Sequence, residues 1–409
     1  MKTILFCGNG MSGEIIPVVR SWGYRVALIT EFPGDRGVDQ ADYVAVAKSK
    51  NPQEALLAAR KIWDSGFHFD GVMSLCWDCA ISVSTIAAEF NLPGIPVEVA
   101  KRATYKDVRS ELFSEHNISA PAFALCEDLR DLCIKAETIG YPIVLKPIDQ
   151  SSSKGVVICE DRRQLEAAYS HCISFSLEAK VIVNQLIVGT EHSTEGLMIE
   201  GHLHPTGLTD RIFDYQKYRP FFVEIGDVMP SVLSESVIQR CYSVTECAAK
   251  ALGIQCGPVK ADLIISQPNE VFVLEIAARL GGPRFGTEMI PLGNGTCILR
   301  AAIQQALGDE VDVSLLRSTF NRGMVNRSIF PNPGRVVSIR GLAEAAALGG
   351  FYDFKWWRPE GLCAGALVEK PRYGCGDVGY IVATGKTRED ALLATDRIEN
   401  TIVIETAPL

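Results

Sequence analysis

Asp262 and Glu275 are the residues whose types and spacing most clearly indicate chemistry. They lie in two strand-like runs, Val259–Ile265 and Glu270–Ile276, joined by a compact turn at residues 267–269. A loop of two or of four residues gives the same hairpin register, which places the two acids opposite each other on one face. Two desolvated carboxylates in contact share a proton or a cation, and hard oxygen ligands with no histidine nearby favour Mg²⁺ or Mn²⁺. The alternative is a sheet-edge hairpin with a shifted register and both acids in solvent.

Basic residues and glycines accompany this acidic pair. Lys260 shares the face of Asp262 by strand alternation, and Arg279 and Arg284 follow in the glycine-containing segment 278–286. A metal, cations and a flexible backbone are together what a phosphoryl-transfer site requires. Arg284 would bind a substrate carboxylate, or it would form a surface ion pair, which is an equally good interpretation.

Lys146 lies in an apolar strand that does not suit a freely solvated ammonium group. A buried ammonium must be paired, and phosphate is one candidate partner. Just downstream, residues 150–156 form a small-residue loop with three consecutive serines, Ser151, Ser152 and Ser153, whose amides and hydroxyls would fold over phosphates. Taken alone, a serine-rich loop is usually only a loop.

A glycine turn near the N-terminus supports a different class of enzyme. Residues 8–13 have the spacing G-x-G-x-x-G between a strand and a helix, and Glu31 ends the next strand where an acid would bind ribose hydroxyls. This is the dinucleotide pattern in its expected context, so a nicotinamide-dependent oxidoreductase is an alternative function. An open α/β domain also needs such a turn for its geometry alone.

The elements around these residues predict a mixed α/β and α+β protein in three parts. Residues 1–98 alternate strand and helix, which predicts a parallel sheet with helices on both faces. Residues 99–310 show paired strands, hairpin turns and helices, and residues 311–409 begin with short strands and finish with a helix and a strand. The elements predicted in the first part are Thr3–Cys7, Arg25–Thr30, Tyr43–Ala47, Pro52–Ser65, Gly71–Ser74 and Ala80–Phe90.

The net charge, the apolar runs and the cysteines indicate which classes of partner and which cellular compartment to expect. The 409 residues carry a net charge of −9, which disfavours broad electrostatic binding to nucleic acid or to an anionic membrane. No apolar run approaches the length of a membrane span. The 13 cysteines are scattered among apolar neighbours, a pattern typical of reduced thiols in a cytoplasmic protein. We therefore expect a cytoplasmic protein with small-molecule ligands.

The order of these features resembles the ATP-grasp superfamily over nearly the whole chain. The segment 105–109, followed by residues 118–121, is similar to the family's entry motif, whose lysine (Lys106 here) contacts nucleotide phosphates. Lys146 matches the second phosphate-binding lysine, and the serine loop matches the mobile phosphate lid. The resemblance places a hinge between two lobes at residues 184–191. It implies that Gln185 and Ile187 hold adenine through their backbones, and that Glu191 binds the ribose hydroxyls.

The same resemblance assigns the remaining site residues. Asp262 and Glu275 match the metal-binding acids, and Arg279 resembles the arginine that stabilises an acyl phosphate or a tetrahedral species. Glu224 and Asp227 lie in a segment that is near the substrates in amino-acid ligases, as do Gly281 and Gly282 beside Arg279. The chain departs from the family pattern at three positions. Asn184 stands where the hinge usually has an acid, Ala277 where the metal motif often has asparagine, and Asp227 where histidine is common.

The C-terminal residues 372–374 and 385–391 look most like the carboxylate–amine ligase branch, which includes L-amino acid ligases. This resemblance implies an ATP-grasp fold with a Rossmann-like pre-grasp domain and a C-terminal α+β lobe, and it suggests a homodimer. It implies that ATP and Mg²⁺, with Mn²⁺ as a substitute, activate a carboxylate as an acyl phosphate. An amine then displaces phosphate. The alternatives are an ATP-grasp enzyme of the carboxylase or ribonucleotide-pathway type, and a non-catalytic nucleotide sensor.

Overall fold

The computed structural model describes residues 1–8, 12–35, 37–282, 284–357, 361–372 and 377–408. The glycine turn at residues 8–13 and the C-terminal motif at residues 372–374 therefore lie partly outside the described residues. Within these ranges, none of the helices combines the length and the apolar character needed to cross a membrane.

The N-terminal region contains a parallel sheet between two layers of helices. Its elements are β1 (Thr3–Cys7), α1 (Ser12–Ser21), β2 (Arg25–Thr30), β3 (Tyr43–Val46), α2 (Pro52–Asp64), β4 (Gly71–Met73) and α3 (Ala80–Glu89). The strand order is β3-β2-β1-β4, and every neighbouring pair is parallel, as the sequence predicts. Ile4 and Phe6 pack on one face of β1, whereas Leu5 and Cys7 pack on the other. Because both faces are covered, the central residues of β1 and β2 are apolar at consecutive positions rather than at alternate ones.

The next region forms a small lobe around an antiparallel sheet. Its elements are α4 (Val97–Thr104), α5 (Lys106–Glu115), β5 (Phe123–Cys126), α6 (Leu129–Ile139), β6 (Ile143–Pro147), β7 (Val157–Cys159), α7 (Leu165–Ile173) and β8 (Val181–Gln185). The strand order is β5-β8-β6-β7. The Asp128 side chain caps α6 by accepting a hydrogen bond from the Asp131 amide. Leu132 on α6 then packs on Leu145 and Val183 of the sheet.

A large lobe follows after the four residues 186–189. Its elements are β9 (Thr190–Ile199), β10 (His202–Phe213), α8 (Tyr215–Tyr218), β11 (Glu224–Met229), α9 (Glu235–Leu252), β12 (Gly257–Ser266), β13 (Glu270–Ala277), a π-helical turn (Phe285–Met289), α10 (Ile290–Asn294) and α11 (Ile298–Ala306). Helix α9 covers one face of the sheet through residues such as Ala248 and Leu252. Residues 186–189 connect a strand of the small sheet to a strand of the large one.

The C-terminal region continues the large sheet instead of standing apart from it. Its elements are β14 (Gly323–Ile329), β15 (Gly334–Arg340), α12 (Leu342–Ala346), β16 (Phe351–Trp356), β17 (Leu367–Val368), β18 (Gly379–Gly385), α13 (Arg388–Thr401) and β19 (Val403–Ala407). The large sheet has eight strands in the order β13-β12-β9-β10-β11-β14-β18-β16, and β17-β15-β19 form a separate small sheet. The division predicted at 310/311 therefore does not coincide with a break in the large sheet.

Two further contacts join these regions. Helix α11 leaves the large lobe and packs through Ile298 and Ile303 against Ile4 and Phe6 of the N-terminal sheet. Helix α13 is held by a reciprocal capping interaction between Thr387 and Asp390 and packs on β18. The N-terminal and C-terminal regions are thus both joined to the lobe that contains the large sheet.

The continuous sheet predicts that a C-terminal core residue stabilises the large lobe. Ile381 on β18 is fully buried, so Ile381→Ala should lower the free energy of unfolding by about 2–5 kcal/mol, the range for truncating a buried aliphatic side chain. Val337→Ala is the matched control, because Val337 is 56% exposed and its truncation should change that free energy very little. Urea unfolding measures both. Equal effects of the two variants would contradict the packing described here.

Candidate active site

The site is a cleft with a cavity of about 380 Å³ between the small-lobe sheet and the large sheet. Three of the residues predicted for the site do not line this cavity: Asp227, Gly281 and Arg284. The predicted residues that do line it are Lys106, Lys146, Ser151, Ser152, Ser153, Gln185, Ile187, Glu191, Glu224, Asp262, Glu275, Arg279 and Gly282. The cleft thus brings together residues from both lobes that are up to 176 positions apart in sequence.

Asp262 and Glu275 stand opposite each other on β12 and β13, as the sequence predicts, but the predicted turn is wrong. Ser266 pairs with Glu270 around a three-residue turn, a register one residue away from the predicted one. A bulge at Leu274 then shifts the pairing, so that Asp262 meets Glu275 after all. Because of the bulge, Leu274 and Glu275 both line the cavity.

Asp262 is buried and surrounded by compensating groups. Ser193 Oγ donates a hydrogen bond to its Oδ1 at 2.6 Å, Arg211 Nη1 lies 3.3 Å from the same oxygen, and Lys260 forms an ion pair with it. Burial alone would raise the pKa of Asp262, but Arg211 and Lys260 outweigh it and hold the pKa well below its usual range. The carboxylate is therefore ionised and available to a cation at any physiological pH.

Glu275 has a more open position. Its side chain is 38% exposed, and its Oε1 lies 3.8 Å from Nη1 of the buried Arg109. Among the described residues, no group of three or more His, Cys, Asp or Glu side chains is arranged to hold a metal ion. Asp262 and Glu275 thus offer a two-carboxylate site, in which a divalent cation would take its other ligands from elsewhere.

Arg211 on β10 is the central cation of the cleft, and our sequence analysis did not identify it. Its Nε and Nη2 bind the two oxygens of Glu224 at 2.9 and 2.6 Å, and its Nη1 lies 3.3 Å from Glu191 as well as from Asp262. The Tyr215 hydroxyl also donates a hydrogen bond to Glu191. Burial raises the pKa of Glu191, and the opposing effect of Arg211 is smaller. The available signal was a charged Asp210–Arg211 pair in a strand that precedes the predicted carboxylate pair.

The two predicted lysines enter the cleft from the small-lobe side. Lys106, the first residue of α5, donates a hydrogen bond to the Gln150 carbonyl, so it lies beside the serine loop. Lys146 on β6 lines the cavity, and burial lowers its pKa to about 8, with Lys106 and Arg109 contributing in the same direction. In the serine loop, Ser152 and Ser153 both have φ of 56°, a left-handed conformation that turns the backbone sharply around the cavity.

Arg279 is oriented by the N-terminal domain. Asp78, which follows β4, forms an ion pair with Arg279 Nε, and Arg279 Nη1 donates to the Leu280 carbonyl at 2.9 Å. Burial would raise the pKa of Asp78, but Arg279 outweighs it and the pKa falls to about 2. Our sequence analysis missed Asp78 because its partner is 201 residues away.

Glu31, the acid of the dinucleotide pattern, accepts hydrogen bonds from the Ser49 amide and hydroxyl at 3.2 and 3.0 Å.

Arg284 and Asp227 lie beside the cleft without lining it. Arg284 is buried, with Nη1 2.9 Å from Asp353 Oδ2 and a second ion pair to Glu288. It forms neither the surface ion pair nor the cavity contact that its sequence position suggested. Asp227 is also buried and accepts a hydrogen bond from Thr209 Oγ1 at 3.2 Å. Burial raises the pKa of Asp227 to about 7, and the nearby Glu224 adds to the shift.

The hinge residues line the other end of the cavity. Residues 186–188 belong to no strand, and Gln185 and Ile187 both face the cavity. Asn184 is buried and borders a second, much smaller cavity together with Lys146 and Arg109. The position that departs from the family pattern is therefore behind the hinge, beside the buried cations.

Two protein-family models match the chain. The model for the ATP-grasp domain matches residues 139–287, and the model for L-amino acid ligase C-terminal domain 2 matches residues 327–407. The first range contains the serine loop, the hinge, the carboxylate pair and Arg279. The second contains β16 and β18 of the large sheet and the last three residues of β14.

Individual relatives are distant. An uncharacterized protein y4rH of Sinorhizobium fredii (strain NBRC 101917 / NGR234) is 25% identical over 362 residues, which cover 86% of this chain and 72% of that protein. Alanine–anticapsin ligase of Bacillus subtilis (strain 168) is 24% identical over 213 residues, 47% of this chain and 44% of the ligase. The match thus spans less than half of that ligase.

A solved structure matches the fold along the whole chain. The crystal structure of L-amino acid ligase from Bacillus licheniformis superposes with a TM-score of 0.84 at 22% sequence identity. The match covers 100% of this chain and 99% of that one. At this identity the likeness establishes the fold.

The position of Arg211 among three carboxylates predicts a large effect of its removal. Arg211→Met keeps the volume but leaves Glu191 and Glu224 without their cation, so the free energy of unfolding should fall by about 3–5 kcal/mol, the usual penalty for unpaired buried charge. The difference in the free energy of unfolding between Arg211→Met and the wild type should become smaller as the pH is lowered, because each unpaired carboxylate then takes up a proton. Urea unfolding at several pH values measures this. The exposed Arg335→Met is the control, and an equally small loss in both variants would contradict the central role of Arg211.

Proposed function

Because the chain is a member of the ATP-grasp superfamily and carries the C-terminal domain of L-amino acid ligases, we propose that it joins a carboxylate to an amine at the expense of ATP. It is an ADP-forming carbon–nitrogen ligase, and the resemblance noted in the sequence is confirmed at the level of the family. The observation that carries the proposal is the meeting of Asp262, Glu275, Lys146 and Arg279 in one cavity. This set combines the acids and cations that phosphoryl transfer to a carboxylate requires.

ATP would lie along the cavity from the hinge to the carboxylate pair. The backbone of residues 185–187 would hold adenine, and Glu191 would accept hydrogen bonds from the ribose hydroxyls. Lys106, Lys146 and the serine loop would bind the phosphates, since their charges and amides line the opposite side of the same cavity. Support comes from the partly buried Lys146, which lines the cavity and has no carboxylate within 4 Å among the described residues.

The donor set of the cleft fits Mg²⁺. Asp262 and Glu275 supply two hard oxygen ligands on facing strands, and Mg²⁺ is commonly held by one or two carboxylates together with substrate phosphates and water. Ala277 has no side-chain ligand to add, which agrees with such a sparse protein contribution. When bound, Mg²⁺ neutralises phosphate charge and polarises the transferring group.

The chain's own residues would then serve two chemical steps. In the first, a substrate carboxylate attacks the γ-phosphorus of ATP, and an acyl phosphate and ADP form while Lys146 and Arg279 stabilise the developing charge. In the second, an amine attacks the acyl carbon and phosphate leaves, which gives the amide. Asp78 keeps the guanidinium of Arg279 in place for both steps. Closure of the cleft around both substrates would exclude water, which would otherwise hydrolyse the acyl phosphate.

The substrates are proposed to be amino acids or similar small molecules. Glu224 lines the cavity beside Arg211, so it is placed to accept hydrogen bonds from an ammonium group of a substrate. Two of the similar proteins are named for amino-acid substrates, namely L-amino acid ligase and alanine–anticapsin ligase. Pairs of amino acids are therefore the first compounds to test.

ADP release tests the proposed function. With Mg²⁺-ATP and a panel of amino acids offered singly and in pairs, we expect release that depends on a particular carboxylate and amine. Mass spectrometry should then find a product equal to both minus water. Glu275→Gln should lower this release by about two orders of magnitude or more, because it removes a charged metal ligand. The control is Glu270→Gln, at the exposed far end of the same strand. ADP release that no carboxylate stimulates, or an unaffected Glu275→Gln enzyme, would refute the proposal.

The lowered pKa of Lys146 predicts how nucleotide affinity depends on pH. Below about pH 8 the side chain is charged and attracts phosphate, so affinity for ATP should be constant there and fall as the pH rises through about 8. The limiting slope should be about tenfold per pH unit if one proton is lost. Calorimetric titration measures it. Lys146→Arg stays charged at all these pH values and should remove the slope, whereas a flat wild-type profile would contradict the assignment.

A further inference from the structure

Glu195 is a buried acid that the proposed reaction does not use. It lies on β9, two residues beyond Ser193, and only 1% of it is exposed. It does not line the cavity. Instead it lies against the segment that follows Arg279, residues 281–282 and 284–286, which we call the glycine loop.

The contact between Glu195 and the glycine loop is direct. The Gly281 amide donates a hydrogen bond to Glu195 Oε2 at 2.8 Å, and the Gly286 amide donates to the Gly281 carbonyl at 3.3 Å. Glu195 Oε1 is buried and has no hydrogen-bond partner among the described residues. The carboxyl group is thus fastened to the loop by one oxygen.

The two glycines leave room for this carboxyl group and for nothing larger. A Cβ atom on Gly281 would lie 2.5 Å from Glu195 Oε2, and a Cβ atom on Gly286 would lie 3.0 Å from the carboxyl carbon. Both distances are shorter than an ordinary van der Waals contact. The backbone of the glycine loop therefore closes around the Glu195 side chain, and the glycines are explained by that approach.

The surroundings of Glu195 favour its neutral form. The charged or titratable groups that face it are Lys260 and Asp262 on β12, Arg279 before the glycine loop, and Cys76 after β4. Burial is the largest influence and raises the pKa of Glu195 to about 8. At neutral pH the side chain is a protonated carboxyl that accepts from Gly281, so glutamine is its closest replacement.

From this geometry we propose that Glu195 is a positioning residue, which holds the glycine loop against β9 so that Arg279 and Gly282 keep their places in the cavity. The inference rests on the proposed function, because it assigns the loop to the end of the cavity where the substrate carboxylate is activated. Glu195 does not line the cavity and lies four residues along β9 from Glu191, so we expect it to influence adenine and ribose binding little. Its effect should be confined to the carboxylate substrate and to the acyl-transfer steps.

Three variants separate positioning from general stability. Glu195→Gln retains an acceptor for the Gly281 amide, Glu195→Met keeps the size without an acceptor, and Gly286→Ala pushes a methyl group against the carboxyl group. The exposed Glu344→Gln is the control. Kinetics are measured with a carboxylate that stimulates ADP release. Glu195→Met should raise the KM for that carboxylate, or lower kcat, by about tenfold or more, while the Kd for ATP changes less than about twofold. Gly286→Ala should act in the same direction, and Glu195→Gln should stay within about threefold of the wild type.

A second measurement does not depend on activity. Hydrogen exchange of a peptide covering residues 280–287 should be faster in Glu195→Met and in Gly286→Ala, and unchanged in Glu195→Gln. If no carboxylate stimulates ADP release in the wild type, the proposed function fails, and hydrogen exchange still tests the anchoring of the loop. Unchanged exchange in Glu195→Met and Gly286→Ala would overturn the inference. So would an equal loss of ATP affinity and carboxylate turnover, which would indicate a general structural role.

Discussion

Asp262 and Glu275 are paired on adjacent strands and both line the cleft, and the need to compensate two negative charges there is the constraint on which the rest of the cleft depends. Three cations compensate these charges: Arg211 and Lys260 form ion pairs with Asp262, and Arg109 lies 3.8 Å from Glu275. These cations would otherwise be expensive to bury, so acids and bases stabilise one another as a set. Such a cleft is prepared for a divalent cation and for phosphates, because each incoming charge meets a group of opposite sign.

This set is assembled by sheet geometry more than by any single loop. Strands β9, β10, β12 and β13 are neighbours, so alternate residues on one face bring Glu191, Arg211 and Asp262 together. The small lobe adds the two lysines from across the cleft, and the N-terminal domain adds Asp78, which orients Arg279. Catalysis by this chain therefore depends on the relative positions of three regions, which the four residues 186–189 and helix α11 join.

Local patterns in the sequence predicted the parallel sheet, the carboxylate pair and Lys146, because each follows from strand alternation or from a charge among apolar residues. The pairing of the two acids was predicted correctly from a turn that is wrong. The three-residue turn shifts the register by one residue, and a bulge at Leu274 shifts it back. Strand alternation cannot reveal such a bulge. Arg211 and Asp78 were missed because their partners come from other strands and another domain. Arg284 was predicted to lie in the site because it follows Arg279 closely in sequence. Its side chain instead pairs with Asp353 on β16, 69 residues away, and does not line the cavity.

The most direct test of the account follows one oxygen atom. A carboxylate substrate labelled with ¹⁸O in its carboxyl group, supplied with Mg²⁺-ATP and the amine, should transfer one ¹⁸O atom to the released phosphate for each amide formed, because the carboxylate attacks the γ-phosphorus and its oxygen leaves with phosphate. Mass spectrometry of the phosphate reads this out. Phosphate without ¹⁸O, in a reaction that still forms amide and ADP, would contradict an acyl-phosphate intermediate and with it the roles given to Lys146 and Arg279.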